Sequence, residues 1–220
     1  MRLARNVLLT FAMCTGIAAS AWAQMGMGMP NVPGEFKPVV GSGAQYEMTT
    51  KAGKTNMAIA VVGKETVDGA DGYWVEMRML DGQGAGTISK YLMVLGGNQP
   101  GVKRMIVQSP GRPPMEMPMG MMSMAKNLPK AQAGGPAPGH GEKVGTEPVT
   151  VPAGVYLCDH YRSQSSNGTS DVWASAKVSP YGLVKMTSDA TSMVLEKVLT
   201  NETSQIKGEP QKMNFPGMPK

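Results

Sequence analysis

The stretch YWVEMRML, Tyr73 to Leu80, alternates residue by residue, with Tyr73, Val75, Met77 and Met79 at one set of positions and Trp74, Glu76, Arg78 and Leu80 at the other. A period of two is that of a β-strand, whose successive side chains point to opposite sides, so this stretch has one apolar and one mixed face. NMAIAVV, Asn56 to Val62, has the same period. Turn chemistry separates such runs: DGADG (Asp68 to Gly72), DGQG (Asp81 to Gly84) and GGN (Gly96 to Asn98) each contain glycine, which takes positive φ without steric cost. These signals predict four or five antiparallel strands between Gln45 and Gln108. In the second half, strands are expected near Gly154 to Arg162, Ser170 to Ala176, Leu183 to Thr187 and Ser192 to Leu199. Asn167-Gly168 is the expected hairpin turn between the first two, because a type I′ turn needs positive φ at both central residues.

Helix signals are few: Met119 to Lys126, between prolines, and a short turn near Pro180. The expected fold is therefore mainly β, a single antiparallel meander forming an open or partly closed half-barrel with little helix. It occupies residues 41–200 as one domain and carries a Met/Pro/Gly-rich insertion at 109–145, of which Leu128 to Gly145 reads as a linker. The flanking stretches 24–40 and 201–220 are rich in Gly, Pro and polar residues without apolar period, and read as disordered tails.

Residues 1–23 read as a secretory signal peptide: Arg2 and Arg5, an apolar run from Val7 to about Ala19, then Ala21-Trp22-Ala23 before Gln24. The run is shorter than the ~20 apolar residues of a spanning helix and contains Thr10, Thr15 and Gly16, so cleavage near Ala23-Gln24 is expected rather than anchoring. A lipoprotein signal at Cys14 is disfavoured by bulky Met13 before it and by continuation of the apolar run beyond it. A periplasmic or secreted protein with no transmembrane helix follows, for which a membrane surface is a possible partner. After cleavage, 19 basic residues face 16 acidic ones, a net charge of +3. The basic residues are scattered, which argues against nucleic acid. Cys158 alone remains, so no internal disulfide can form and the fold must rest on its core.

VPAGVYLCDHYR (Val151 to Arg162) followed by DVWASAKVSPYGLVKM (Asp171 to Met186) resembles the end of several families of uncharacterised exported bacterial proteins. In these a strand after "AG" leads to a hairpin, a W-x-S strand, a "P-x-G-L-V" element and a final strand. They are related in fold to the periplasmic lipoprotein carrier and its outer-membrane receptor, unclosed antiparallel barrels of the Lol type that hold acyl chains on an apolar inner face under a mobile lid. The resemblance lies mainly over residues 148–199, and the Gly/Pro/Met insertion from Ser109 to Gly145 departs from it. It implies an apolar-ligand or envelope-associated protein, with no catalytic residue carried across.

The residues themselves frame two chemistries. Methionine is flexible and polarizable and fits irregular apolar partners, whereas its thioether is also a soft, neutral donor for Cu(I). In RPPMEMPMGMMSMAKNLPK, Met115, Met117, Met119, Met121, Met122 and Met124 crowd together. Pro118 and Gly120 break any regular strand there, and the cluster contains no His. Methionines also occupy strand positions, among them Met48, Met57, Met77, Met79, Met93, Met105, Met186 and Met193, where an adaptable apolar surface needs them and a local metal box does not. The expected ligand-binding surface is thus an apolar face of Met57, Ile59, Val75, Met77 and Met79, with Met115, Met117, Met119 and Met121 as a lid, and Pro114 to Leu128 near its open side or hanging loose.

The expected function is non-catalytic binding of an acyl or other apolar ligand, or of an envelope lipoprotein, without a cofactor. The alternative is periplasmic copper binding by Met115 to Met124, to which Cys158 and His160 could add two donors from one strand face, though a third donor is not located. An enzyme is not expected. Asp159 and His160 are adjacent and would point to opposite strand faces, and nucleophile-elbow, zinc-protease and phosphate-loop patterns do not occur.

Overall fold

The structure, a computed structural model, describes residues 36–82, 84–96, 101–117, 141–165 and 168–212. The expected signal peptide, the tail at 24–35, the helix candidate Met119 to Lys126, and Met119, Met121, Met122 and Met124 lie outside the described residues.

Among the described residues there is no helix, hence none long and apolar enough to cross a membrane, and twelve strands form one open sheet. In chain order the strands are β1 (Gly43–Thr50), β2 (Gly53–Val67), β3 (Ala70–Met79), β4 (Ile88–Val94), β5 (Gly101–Gln108), β6 (Met115–Glu116), β7 (Glu142–Val151), β8 (Gly154–Ser165), β9 (Gly168–Ala174), β10 (Leu183–Ser188), β11 (Thr191–Leu199) and β12 (Gln211–Lys212). Across the sheet the order is β12-β6-β5-β4-β3-β2-β1-β11-β10-β9-β8-β7. Two meanders, β1 to β6 and β7 to β11, are joined side by side by the antiparallel β1–β11 pair. Every pairing is antiparallel except the short β12–β6 pair.

Turn chemistry acts where it was expected, with adjustments of register. Asp68 (φ 50°) and Gly69 (φ 78°) both lie at positive φ and connect paired Val67 and Ala70, the two-residue turn that β2 and β3 require. Ala70 to Gly72, read as part of the turn, belong to β3. At the β8–β9 hairpin Ser165 pairs with Gly168, one residue out of step with a turn centred on Asn167-Gly168. A shift by one residue would turn every side chain of β9 over, so the register that buries Val172 (2 % exposed) overrides the local Asn-Gly preference.

Strand β7 was read as linker and strand-less sequence. Its residues Glu142 to Pro148 are all exposed, so it has no apolar alternation to read, and it forms by pairing with β8 at the sheet's edge. Pro148 and a register irregularity between Lys143 and Gly145 suit an edge, where a missing N–H and a bulge discourage further strands from adding.

The main core draws on both meanders: Tyr46, Met57, Ile59 and Val75 from one, and Val172, Leu183, Val184, Met193 and Leu195 from the other. Each such side chain contributes roughly 1.5–3 kcal/mol by leaving water. The segment between β9 and β10, with a cis Ser179–Pro180 peptide, lies over this face. From it Tyr181 reaches β4, where its hydroxyl meets Met93 Sδ at 3.6 Å, while Tyr46 donates to the Leu183 carbonyl at 3.1 Å. Phe36 packs on Tyr181 and edge-on to Tyr73, with ring centroids 5.2 and 6.5 Å apart.

Residues 201–212, read as part of a disordered tail, are instead a strap across the other face of β3 to β5. Asn201 (φ 57°) turns the chain after β11, and Glu202 meets Arg78 at 2.6 Å. The fully buried Glu76 carboxylate accepts from Ser204 Oγ at 2.8 Å and from the Gln205 N–H at 3.0 Å, and Gln108 exchanges two bonds with the Lys207 backbone. Ile206 then packs on Trp74, Leu92 and Ile106. The strap was not legible as ordered because Ile206 is the one apolar residue between Glu202 and Glu209, and the other anchors are single polar contacts. Ile206→Ala should lower stability by roughly 1–3 kcal/mol through lost burial and a residual cavity, and should red-shift Trp74 fluorescence as water reaches its ring. An unchanged urea midpoint and spectrum would show the strap to be idle.

Candidate functional site

Register places the strand methionines on one face. Met186 lies directly opposite Met193, and Met193 opposite Met48. Met57 lies opposite Met79, Ile59 opposite Met77, Tyr73 opposite Met93, Tyr91 opposite Met105, and Val107 opposite Met115. Directly opposed residues share a face with Cβ atoms about 4.5–5.5 Å apart, so these side chains form one continuous thioether-rich surface. It is the face that carries Tyr46 and Tyr73, against which Tyr181 and Phe36 pack.

All five residues expected on the apolar face are there. Met57, Ile59 and Val75 are buried, while Met77 and Met79 are partly exposed and pack against the main core. Met48, Met93 and Met186, which sequence reasoning placed in strands without assigning to the site, join them on the same core. Their signal was the shared parity along paired strands, which only a known register could connect.

Of the expected lid, Met115 and Met117 are described and partly exposed. They do not hang loose: Met115 pairs with Val107, the Met117 N–H donates to the Met105 carbonyl at 2.9 Å, and Pro114 is fully buried. The start of the methionine-rich segment is thereby tied to the rim of the methionine face through β5 and β12.

Cys158 and His160 do share a strand face with Tyr156, alternating with exposed Val155 (69 %) and Leu157 (66 %). The Cys158 thiol is fully buried in the main core, and desolvation, then the Asp159 and Glu147 charges, push its pKa up to about 11. His160 stacks on Trp173 with centroids 4.4 Å apart. Its Nε2 is 2.7 Å from Asp171 Oδ1 and its Nδ1 is 3.4 Å from Glu147 Oε1, so a carboxylate faces each ring nitrogen. Asp159 turns elsewhere, to Lys143 and Thr146. Burial alone would raise the Asp171 carboxyl, but hydrogen bonds from His160 and Arg162 and the Arg162 charge hold it below the ordinary carboxylate value. The His160–Asp171 pair was missed because it is diagonal across β8 and β9. Among the described residues no three His, Cys, Asp or Glu side chains are grouped to hold a metal ion.

No protein-family profile matches the chain, and no curated protein matches it. Solved structures similar to it in outline include the following two. One is a candidate lipoprotein from Parabacteroides distasonis ATCC 8503, with TM-score 0.39, 12 % identity, and coverage of 78 % of this chain and 100 % of that one. The other is a candidate exported protein with a YmcC-like fold from Bacteroides fragilis NCTC 9343, with TM-score 0.37, 14 % identity, and coverage of 75 % and 99 %.

The Cys158 geometry sets a pH signature. A thiol pKa raised from 9.0 to about 11 stabilises the fold fully below pH 9 and loses that contribution as pH rises toward 11. A maleimide should leave native protein unlabelled at pH 7.5 and react once denaturant is added. Between pH 9 and 11 the urea midpoint should fall more steeply for the parent than for Cys158→Ala. Rapid native labelling, or identical slopes, would contradict the buried placement.

Proposed function

We propose that the protein is an exported, non-catalytic binding protein that receives an acyl chain or similar apolar ligand, free or carried by an envelope lipoprotein, on its methionine face. The observation that carries this reading is the run of partly exposed methionines, Met48, Met77, Met79, Met93 and Met186, continuous on one face with Met115 at its rim. Water-facing apolar area of this kind gains free energy when a ligand covers it, at roughly 25 cal/mol per Å². Methionine side chains re-pack around irregular chains more readily than branched ones. The open edge order leaves the face bounded by short β6 and β12 on one side, with the edge strands β12 and β7 unpaired with each other. Export rests on the amino-terminal pattern of Arg2, Arg5, the apolar run and Ala21-Trp22-Ala23, and the resemblance over residues 148–199 to Lol-type relatives points the same way.

In this reading Met57, Ile59 and Val75 form the floor, Met77 and Met79 the exposed shelf, and Met115 and Met117 the entry to the lid. Replacing Met77, Met79, Met115 and Met117 together by leucine keeps volume and apolarity, so a fluorescent fatty-acid probe should bind within a few-fold of the parent. The same four positions as serine should weaken it by about tenfold or more, because the covered apolar area is lost. A serine variant that binds like the parent, or a parent that does not bind the probe, would overturn the assignment.

A further inference from the structure

We propose that Met48, Met186 and Met193 form a three-thioether site for a soft monovalent cation, Cu(I) or its analogue Ag(I). This goes beyond the apolar-ligand reading and does not depend on it. The three residues come from β1, β10 and β11 and sit in one row across the sheet, Met186 opposite Met193 and Met193 opposite Met48. Neighbouring strands lie about 4.8 Å apart, and each methionine has three rotatable bonds beyond Cα, so the outer two can lean inward until three sulfurs surround one point above Met193.

Burial suits such a site. Met193 is 3 % exposed and held in the core, a fixed donor, while Met48 and Met186 are partly exposed and can be reached by a cation arriving from solvent. The row continues to Val172 beyond Met186 and to Thr55 beyond Met48, so neither end brings in a charged side chain. The charged residues of these strands nearest the row, Glu47 and Lys185, pair with Val194 and so occupy the opposite face. Neutral thioethers without carboxylate or water-like oxygen partners discriminate against hard divalent ions and favour soft d¹⁰ cations, and they bind without losing a proton. Adaptable packing also accounts for methionine at these positions; the thioether sulfur is the further property that all three share and that leucine, of about the same volume, would remove.

The segment Met115 to Met124 is a separate candidate for the same ion, and the two can be told apart. The full mature chain is supplied with Cu(I) anaerobically against a competing bathocuproine-type chelator. The parent should retain about one equivalent, and Met48→Leu/Met186→Leu/Met193→Leu should weaken retention at least tenfold, about the scale on which even changes outside the ligand shell act. Leucine at Met115, Met117, Met119, Met121, Met122 and Met124 together should bind Cu(I) as the parent does, and loss of retention in that variant would overturn the site in favour of the segment. Ag(I) titration of parent protein with ¹³C-methyl methionine should move three methyl resonances together, a readout that needs no variant to fold. Failure of the parent to retain Cu(I), undiminished retention in the triple leucine variant, or silver shifts confined to other methionines would each overturn the site. Loss of fatty-acid probe binding would leave it standing, because the two readings use different measurements.

Discussion

Strand β1 is the joint on which the rest of the sheet depends. It pairs with β2 on one side over Gly43 to Thr50 and with β11 on the other over the same residues, so β1–β11 is the one strand pairing described between the two meanders. Small residues make this close junction possible. A Cβ on Gly43 would collide with the Ile59 carbonyl and with Ala60, and Ala44, Ala58 and Ala60 are all buried beside it. Tyr46, 1 % exposed, then fixes the junction from the core side by its bond to the Leu183 carbonyl, and burial raises its hydroxyl pKa far above the ordinary tyrosine value. Because β1 holds both meanders in one register, methionines on strands far apart in sequence fall on a common face.

That face has two ends with different character. Tyr181, Val178 and Phe36 fill one, and the chain itself supplies the apolar cover there. At the other, Met48, Met77, Met79 and Met186 keep part of their surface in water. Opposite, the strap seals the mixed face of β3 to β5. Lys90 and Arg104 lie over the Trp74 ring at 4.8 and 5.1 Å, Trp74 donates to Glu65, and Glu116 holds Arg104. Desolvation lowers the Lys90 pKa, the mark of a cation drawn into that layer. The strap and these polar networks cover the mixed face over β3 to β5, while Met48, Met77, Met79 and Met186 on the methionine face stay partly in water.

Strand positions with strict alternation and glycine-marked turns were legible because local chemistry alone decides them: β2, β3, β8 and β11 lie where period two placed them. The apolar set Met57, Ile59, Val75, Met77 and Met79 was legible for the same reason, since parity within a strand fixes the face. Legibility ended where a partner supplies the order. Strand β7 has no apolar pattern and exists through β8, and the strap at 202–212 is held by Glu76, Arg78 and Gln108, residues about 100 positions or more earlier in the chain. The Met48–Met193–Met186 row and the His160–Asp171 contact likewise need the register between strands, which no single segment encodes.

The central claim is that the partly exposed methionine face is where a ligand sits. Native mass spectrometry of the full mature protein, purified from its own host without detergent, tests it most directly. The account predicts that a population of molecules carries the added mass of an acyl-containing compound, and that the adduct is lost when Met77 and Met79 are changed to serine. A bare chain from the host, or an adduct that survives those substitutions, would contradict it.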